Sequence, residues 1–349
     1  MPDIWDIFDT NPAFTLGSMT AAMREVSYVP SYISQLGLFQ VEAIDTLSVA
    51  IEKADKEALV LVPSSPRGSP GSTRDHAKRS MRSLRVPHFQ RDDAIYADEV
   101  QGIRAFGTER QVETLQGKIA RKAATHSQDF ALTEEYHRLN IIKGGNLLDS
   151  DGSVLYNYAT EFGESLPAEI DFDLDNASPA DGILRERCAN IYEAMGETLD
   201  GLPFSGIRAI CGGTFFKQLI KHPEVRDTYK GYADAAMLRA GFVNSGALSN
   251  SSGLLGTFEF GDITWSWYRG GSNVSVDATK AHFVPVGVPG LFRTIYAPAD
   301  YFETVNTMGQ RLYAHQYESA NGKLRHLEFQ SNALHYCTRP RVLMRARNT

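Results

Sequence analysis

The longest hydrophobic rhythm in the chain is helical. From Glu109 to Ile142, Val112, Leu115, Ile119, Ala123, His126 and Phe130 return at helical spacing. The phase then slips, and Leu132, Tyr136 and Leu139 continue it. Thr108, with Gln111 three residues on, has the pattern of a capping box, and Gly144-Gly145 marks the stop. Such a helix spans about 50 Å at 1.5 Å per residue, which suits a flat, elongated protein with a helical spine. A second stripe, Leu184, Cys188, Ile191, Met195 and Leu199, predicts another helix. Gly212–Lys221, stopped by Pro223, and Val225–Leu238 predict two more. Short apolar or alternating runs predict strands at Ala168–Leu174, Gly206–Cys211, His282–Gly287, Gln310–Tyr317, Lys323–Gln330 and His335–Arg345. Asp151-Gly152 between Leu147-Leu148 and Val154–Tyr158, and Gly261-Asp262 between Thr257–Phe260 and Ile263–Tyr268, are two-residue turn signals for hairpins. Gly241–Gly256, rich in Gly, Ser and Asn, reads as a mobile loop. The result is a mixed, α+β pattern.

One stretch breaks these rhythms. Between Thr46 and Arg104, strand-like sequence (Leu47–Ile51, Leu59–Val62, Met81–Phe89, Ala94–Val100) encloses a polar tract holding Pro63, Pro66, Pro70, Gly68 and Gly71. The tract and its edge carry Arg67, Arg74, Lys78, Arg79, Arg82 and Arg85. A loop this long in a compact domain is uncommon and usually functional or disordered. The flanking strands can pair antiparallel, which predicts a two-stranded arm with a tip at Pro63–Lys78. Leu47, Val49 and Ile51 on a free arm would expose apolar surface and open strand edges, so a neighbouring copy is expected to cover them. Residues 1–45 read as a second arm, with Trp5, Phe8 and Phe14 scattered among polar residues and a short helix ended by Pro30. Whether it packs on its own body or on a neighbour stays open at this point.

With 349 residues, 42% of them hydrophobic, the chain can build a sizeable core. A net charge of −7 argues against a dedicated nucleic-acid binder, and it supplies acidic partners for the basic arm. Cys188, Cys211 and Cys337 are dispersed and odd in number, as expected of reduced thiols from a cytoplasmic origin. No signal peptide or transmembrane span is expected. Asp171, Asp173 and Asp175 alternate like early calcium-loop ligands, but Asn176 and Gly182 occupy the positions that need Gly and Glu. Trp265 and Trp267 share a strand face that could stack a sugar, though burial in a core or interface explains them more simply. No pattern for an enzyme's active site, a cofactor or a metal emerges. The parts present are parts for assembly.

Ordered stretches then carry a resemblance across nearly the whole chain. They are FTLGSMTAAMREVSYVP, LGLF followed by SVAIE and LVLVPSSPRGSPG, VPH, ADEVQGIRAFGT, GNLLDSDGSVLYNY, FEFGDITWSWYRG, FVPVGVPGLFRTIYAPADYFETVNTMG and LEFQSNALHYCTRP. Together they resemble the lambda-type phage major capsid proteins (phage capsid protein E family), which have the Hong Kong 97-type fold. The resemblance implies an N-terminal arm (1–45) and an extended loop (46–105). It implies a peripheral domain with the spine helix and a hairpin (106–178), an axial domain (179–302), and C-terminal strands of the peripheral domain (303–349). It implies a non-enzymatic protein that self-assembles, as hexamers and pentamers, into the icosahedral head of a tailed double-stranded DNA phage. Implied partners are a separate scaffold, a portal, often a decoration protein, and the packaged DNA; a membrane is not among them. Implied location is the virion, after assembly in the host cytoplasm. Alternatives left open are an encapsulin-like nanocompartment shell and, from another class, a carbohydrate-binding α+β protein.

Overall fold

The computed structural model describes residues 29–54, 79–99, 115–230 and 254–348. The spine helix α2 runs Leu115–Gly144, after a one-turn helix α1 at Tyr32–Gln35. The expected residues 109–114 and their cap lie outside the described segments. Gly145 ends α2 in the left-handed region at φ +66°, where a side chain would be strained. At 30 residues the helix is about 45 Å long, and its two halves sit in different surroundings. Leu139, Ile141 and Ile142 are sunk in the main core. Ile119, Ala123 and Phe130 instead cover a small separate cluster of Ile95, Leu327 and Phe329.

Three sheets surround the spine. The largest is assembled in the order β7 (Ile170–Asp171), β16 (Met344–Arg347), β11 (Lys280–Val286), β8 (Gly206–Cys211), β10 (Ile263–Tyr268) and β9 (Leu254–Phe260). Helices α4 (Ile183–Leu199), α5 (Gly213–Lys221) and α6 (Pro223–Lys230) accompany it. The expected stripe of α4 is its buried face: Leu184, Cys188, Ile191, Met195 and Leu199. Gly261 and Asp262, both at positive φ, make the β9–β10 turn, the geometry a two-residue hairpin demands. The hairpin packs hard on α4, because a Cβ at Gly261 would lie 2.6 Å from the Cys188 Cβ.

A second sheet joins β1 (Phe39–Ala43), β12 (Phe292–Tyr296) and β15 (Ala333–Cys337). The third joins β13 (Tyr313–Glu318), β14 (Leu324–Ser331) and β4 (Phe89–Tyr96). Two hairpins complete the described chain: β2 (Ser48–Ala54) with β3 (Arg79–Arg85), and β5 (Asn146–Leu148) with β6 (Val154–Asn157). A five-residue helix α3, Tyr158–Phe162, follows directly.

Several boundaries differ from the sequence reading. β1 and β12 were not foreseen; each is a short run, and its strand identity comes from its ladder partners, β1 from parallel pairing with β12, and β12 from that pairing together with its antiparallel ladder to β15. The strand expected to return along the arm at 94–100 starts at Phe89, and it pairs with β14 over eight positions instead. Pro87, which has no amide hydrogen to give to a ladder, separates it from β3. The single strand expected at 335–345 is two, parted by a turn at Pro340–Val342. β15 goes to the second sheet and β16 to the largest one. Leu254–Gly256, the end of the expected loop 241–256, already belong to β9, while 241–253 lie outside the described residues. The helix expected at 225–238 is described from Pro223 to Lys230.

Candidate assembly surface

The β2–β3 hairpin is paired from Ser48↔Arg85 to Ala54↔Arg79. Its base is fastened to its own body. Leu84 and Val86 are buried, and Val49 and Ile51 are half-buried against the main core. The Tyr156 hydroxyl accepts from the Arg85 amide at 3.1 Å and donates to the Arg85 carbonyl at 2.9 Å, standing in for a missing strand neighbour. Arg82 pairs with Glu161 at 3.2 Å. Both side chains are solvated enough that the pair contributes at most about 1 kcal/mol. Among the residues singled out in the sequence, Leu47 is therefore the apolar one left open, 58% exposed, and it is joined by Met81 at 75%. Arg67, Arg74 and Lys78, and Trp5, Phe8 and Phe14, lie outside the described residues. Arg79 is described as strand backbone only.

The N-terminal segment is settled from residue 29 onward, because it packs on its own body. Tyr32 and Ile33 are fully buried. Glu135, midway along α2 and also fully buried, accepts from the Ile33 amide at 2.7 Å, the Ser34 amide at 2.9 Å and the Ser34 hydroxyl at 2.8 Å. The carboxylate thus caps the one-turn helix α1 from a distance of 102 residues. Its neighbour Glu134 accepts from Tyr296 at 3.1 Å, Arg311 at 2.9 Å and Arg138 at 3.4 Å. Arg138 in turn donates to the Ser34 hydroxyl at 2.8 Å. One buried ionic network ties the incoming chain, the spine, β12 and the segment before β13. Neither Glu134 nor Glu135 stood out in the sequence, since two adjacent acids beside His137 and Arg138 on a helix are indistinguishable from a solvated face until the fold buries them.

Nearby, His137 and His335 lie with ring centroids 5.7 Å apart. Burial pushes His137 down to about 4 and holds His335 well below the usual imidazole range, with Arg138 adding to both effects. Burial likewise pushes His282 down to about 3. The three thiols are all buried and free. Desolvation pushes Cys188 and Cys337 up to about 12 and Cys211 upward as well, so none is a ready nucleophile.

Other candidate chemistry dissolves in place. Trp265 is fully buried among Phe172, Phe215 and Phe283, so no sugar can stack on it. Trp267 lies against Phe216 with Lys217 over its ring. Asp171 faces Arg347 at 3.8 Å, and Asp173 holds the side chain of Asn176 at 3.0 Å. Among the described residues, no group of three or more His, Cys, Asp or Glu side chains is placed to hold a metal, and no helix is long and apolar enough to cross a membrane. What remains is surface: the arm base, the exposed turn at Phe302–Met308 and the grooves between them.

Comparison with known proteins fits a surface of that kind. The chain is 30% identical over 348 residues to the major capsid protein of Pseudomonas phage KPP10, spanning 96% of this chain and 97% of that protein. It is 25% identical to the major capsid protein of Salmonella phage Felix O1, spanning 96% of each. The fold matches a chain from the capsid of Myoviridae phage XM1 with a TM-score of 0.56, over 94% of this chain and 95% of that one, at 9% identity. It also matches a chain of the cyanophage A-1(L) capsid with a TM-score of 0.54, over 97% and 98%, at 11% identity. The profile of the phage major capsid protein E family aligns with residues 15–348. With that alignment running almost end to end, the chain belongs to the phage major capsid protein E family.

Proposed function

We propose that this chain is the repeating subunit of the icosahedral head of a tailed double-stranded DNA phage, built on the Hong Kong 97-type fold. The observation that carries the reading is the family match from residue 15 to residue 348. The architecture supports it. A spine helix, a fastened hairpin arm and three sheets offer broad surfaces. In this reading residues 1–45 are the N-terminal arm and 46–105 the extended loop. The segments 106–178 and 303–349 build the peripheral domain, and 179–302 the axial one. β12 shares a sheet with β15, and β16 lies in the six-stranded sheet beside β11, so in this reading the chain crosses between the two domains at both strands.

The subunits form hexamers and pentamers, assembled in the host cytoplasm on a separate scaffold around a portal, with a decoration protein as a further partner. The finished shell encloses DNA and performs no catalysis. Apart from Arg82, which Glu161 of its own chain engages, the basic residues from Arg67 to Arg85 meet acidic residues of a neighbouring copy rather than DNA. Contacts of this kind are individually weak, and many per subunit multiply into a stable shell.

The test is co-expression with the scaffold protein. Closed shells are expected from the full chain. A chain lacking residues 64–77 retains the β2–β3 ladder and its body, and it is expected to fold but not to close shells. Normal shells from the shortened chain would refute the role given to the loop, and a strictly monomeric full chain in the presence of scaffold would refute the shell itself.

A further inference from the structure

Phe302 is the most exposed large apolar side chain among the described residues, at 101% of its reference area. Val305 and Met308, three and six positions on, are also exposed. Three such side chains on one short turn would ordinarily collapse onto the protein. Here the turn is held away from it. The Thr304 hydroxyl donates to the carbonyls of Ala299 and Tyr301 at 2.7 and 2.9 Å, and the Thr307 hydroxyl donates to the Thr304 carbonyl at 2.8 Å. Before the turn, Tyr301 donates to Glu328 at 3.2 Å and stacks on His315 at 4.8 Å. After it, the Gly309 amide donates to the Ile44 carbonyl at 2.9 Å. Gly309 also sits so close to β12 that a Cβ there would meet the Tyr296 carbonyl oxygen at 2.2 Å. A rigid apolar projection is preorganised for a contact, because little ordering remains to be done on binding.

Beside it runs a groove of about 500 Å³ lined by Leu47, Val86, Pro87, Leu155, Tyr156 and Pro298. It shares the lining residues Pro87, His88 and Leu155 with a second groove of about 620 Å³ along α2. Phe302, being fully exposed, makes no use of the groove on its own chain. We propose that the turn Phe302–Met308 is a knob that seats in the Leu47–Leu155 groove of a second copy of this chain.

The occupant follows from three observations. The knob is apolar, the groove is largely so, and both are neighbours on one molecule, so each copy offers both halves of a contact between copies. Arg85 on the groove rim offers a positive partner for Glu303 on the knob. The three side chains supply a few hundred Å² at most, well below the ~800 Å² per partner of a stable pair. The contact therefore serves copies already held together by others. It rests on the shell reading above.

The experiment places the photoreactive p-benzoylphenylalanine at position 302 in shells assembled with the scaffold. Shell formation by the unsubstituted chain is checked first, which separates failure of the shell reading from failure of this contact. On irradiation, isotope-mixed particles are expected to give chain-to-chain cross-links that map to 85–88, 155–156 or 297–300 of a different copy. Cross-links to the scaffold, to another protein or to a different face would overturn the proposal. Phe302→Asp is expected to lower shell yield at least about tenfold while leaving the unfolding of the isolated subunit unchanged, since the Phe302 side chain is fully exposed on its own chain. Shells of normal yield and heat resistance from that variant would likewise overturn it.

Discussion

Glu135→Gln isolates the device that pins the N-terminal segment to the spine. The substitution keeps the shape of a fully buried side chain and removes its charge. As a carboxylate, Glu135 satisfies the amides of Ile33 and Ser34 with separate oxygens at 2.7 and 2.9 Å. A carboxamide has one acceptor oxygen, so its NH2 group is turned toward a backbone donor. A hydrogen bond to a charged group contributes about 1.5–3 kcal/mol, and an orphaned buried donor costs a similar amount. Some relaxation through the Ser34 hydroxyl is available, so the net loss is set at about 2–3 kcal/mol. Because every 1.4 kcal/mol is tenfold, local opening of α1 should become roughly 30- to 150-fold more frequent. Amide hydrogen exchange followed by mass spectrometry on unassembled subunits reads this directly. Peptides covering 31–37 should lose protection by that factor, while those in β8 and β11 keep theirs. Unchanged exchange at Ile33 and Ser34 in a folded variant would refute the capping role. A uniform loss across the chain would show that the network supports the whole fold and not the segment.

Acid should weaken the subunit through its buried imidazoles. His137 and His282 titrate near 4 and near 3 when folded, against about 6.5 when unfolded. The unfolded chain therefore binds more protons below about 6.5, and the stability that is complete above that pH falls as the pH drops toward the folded values. At pH ~5 each group costs about 2 kcal/mol. Urea midpoints measured from pH ~7.5 to ~5 should decline, and less steeply in His137→Phe; a variant slope equal to the parent's would dismiss His137 as a contributor. Gly261→Ala places a Cβ against Cys188 in a left-handed turn, and about 2–4 kcal/mol of destabilisation is expected. Asp262→Gly in the same turn should be neutral or slightly stabilising. Equal melting temperatures for Gly261→Ala and the parent would show that the hairpin does not bear on α4.

The sequence by itself determined the elements whose cause is local. The stripe Leu184, Cys188, Ile191, Met195 and Leu199 can bury only one helix face. Gly261-Asp262 and Gly145 tolerate positive φ, and so fix a hairpin turn and a helix end where they stand. The ordered family stretches, read together, pointed to a capsid subunit. Tertiary structure decided the partnerships. A five-residue run such as Phe39–Ala43 has no strand identity until Phe292–Tyr296 lies beside it. The destination of β4 and β16 depended on ladders formed with residues more than sixty positions away along the chain. The arm shows both sides of the division. Its antiparallel pairing was written in alternating residues, but its anchoring by Tyr156 and Glu161 was not, because those contacts exist only once the β5–β6 hairpin and α3 have folded against it. The exposed knob at Phe302 was invisible for the same reason: an apolar residue in sequence is presumed buried until the fold leaves it outside.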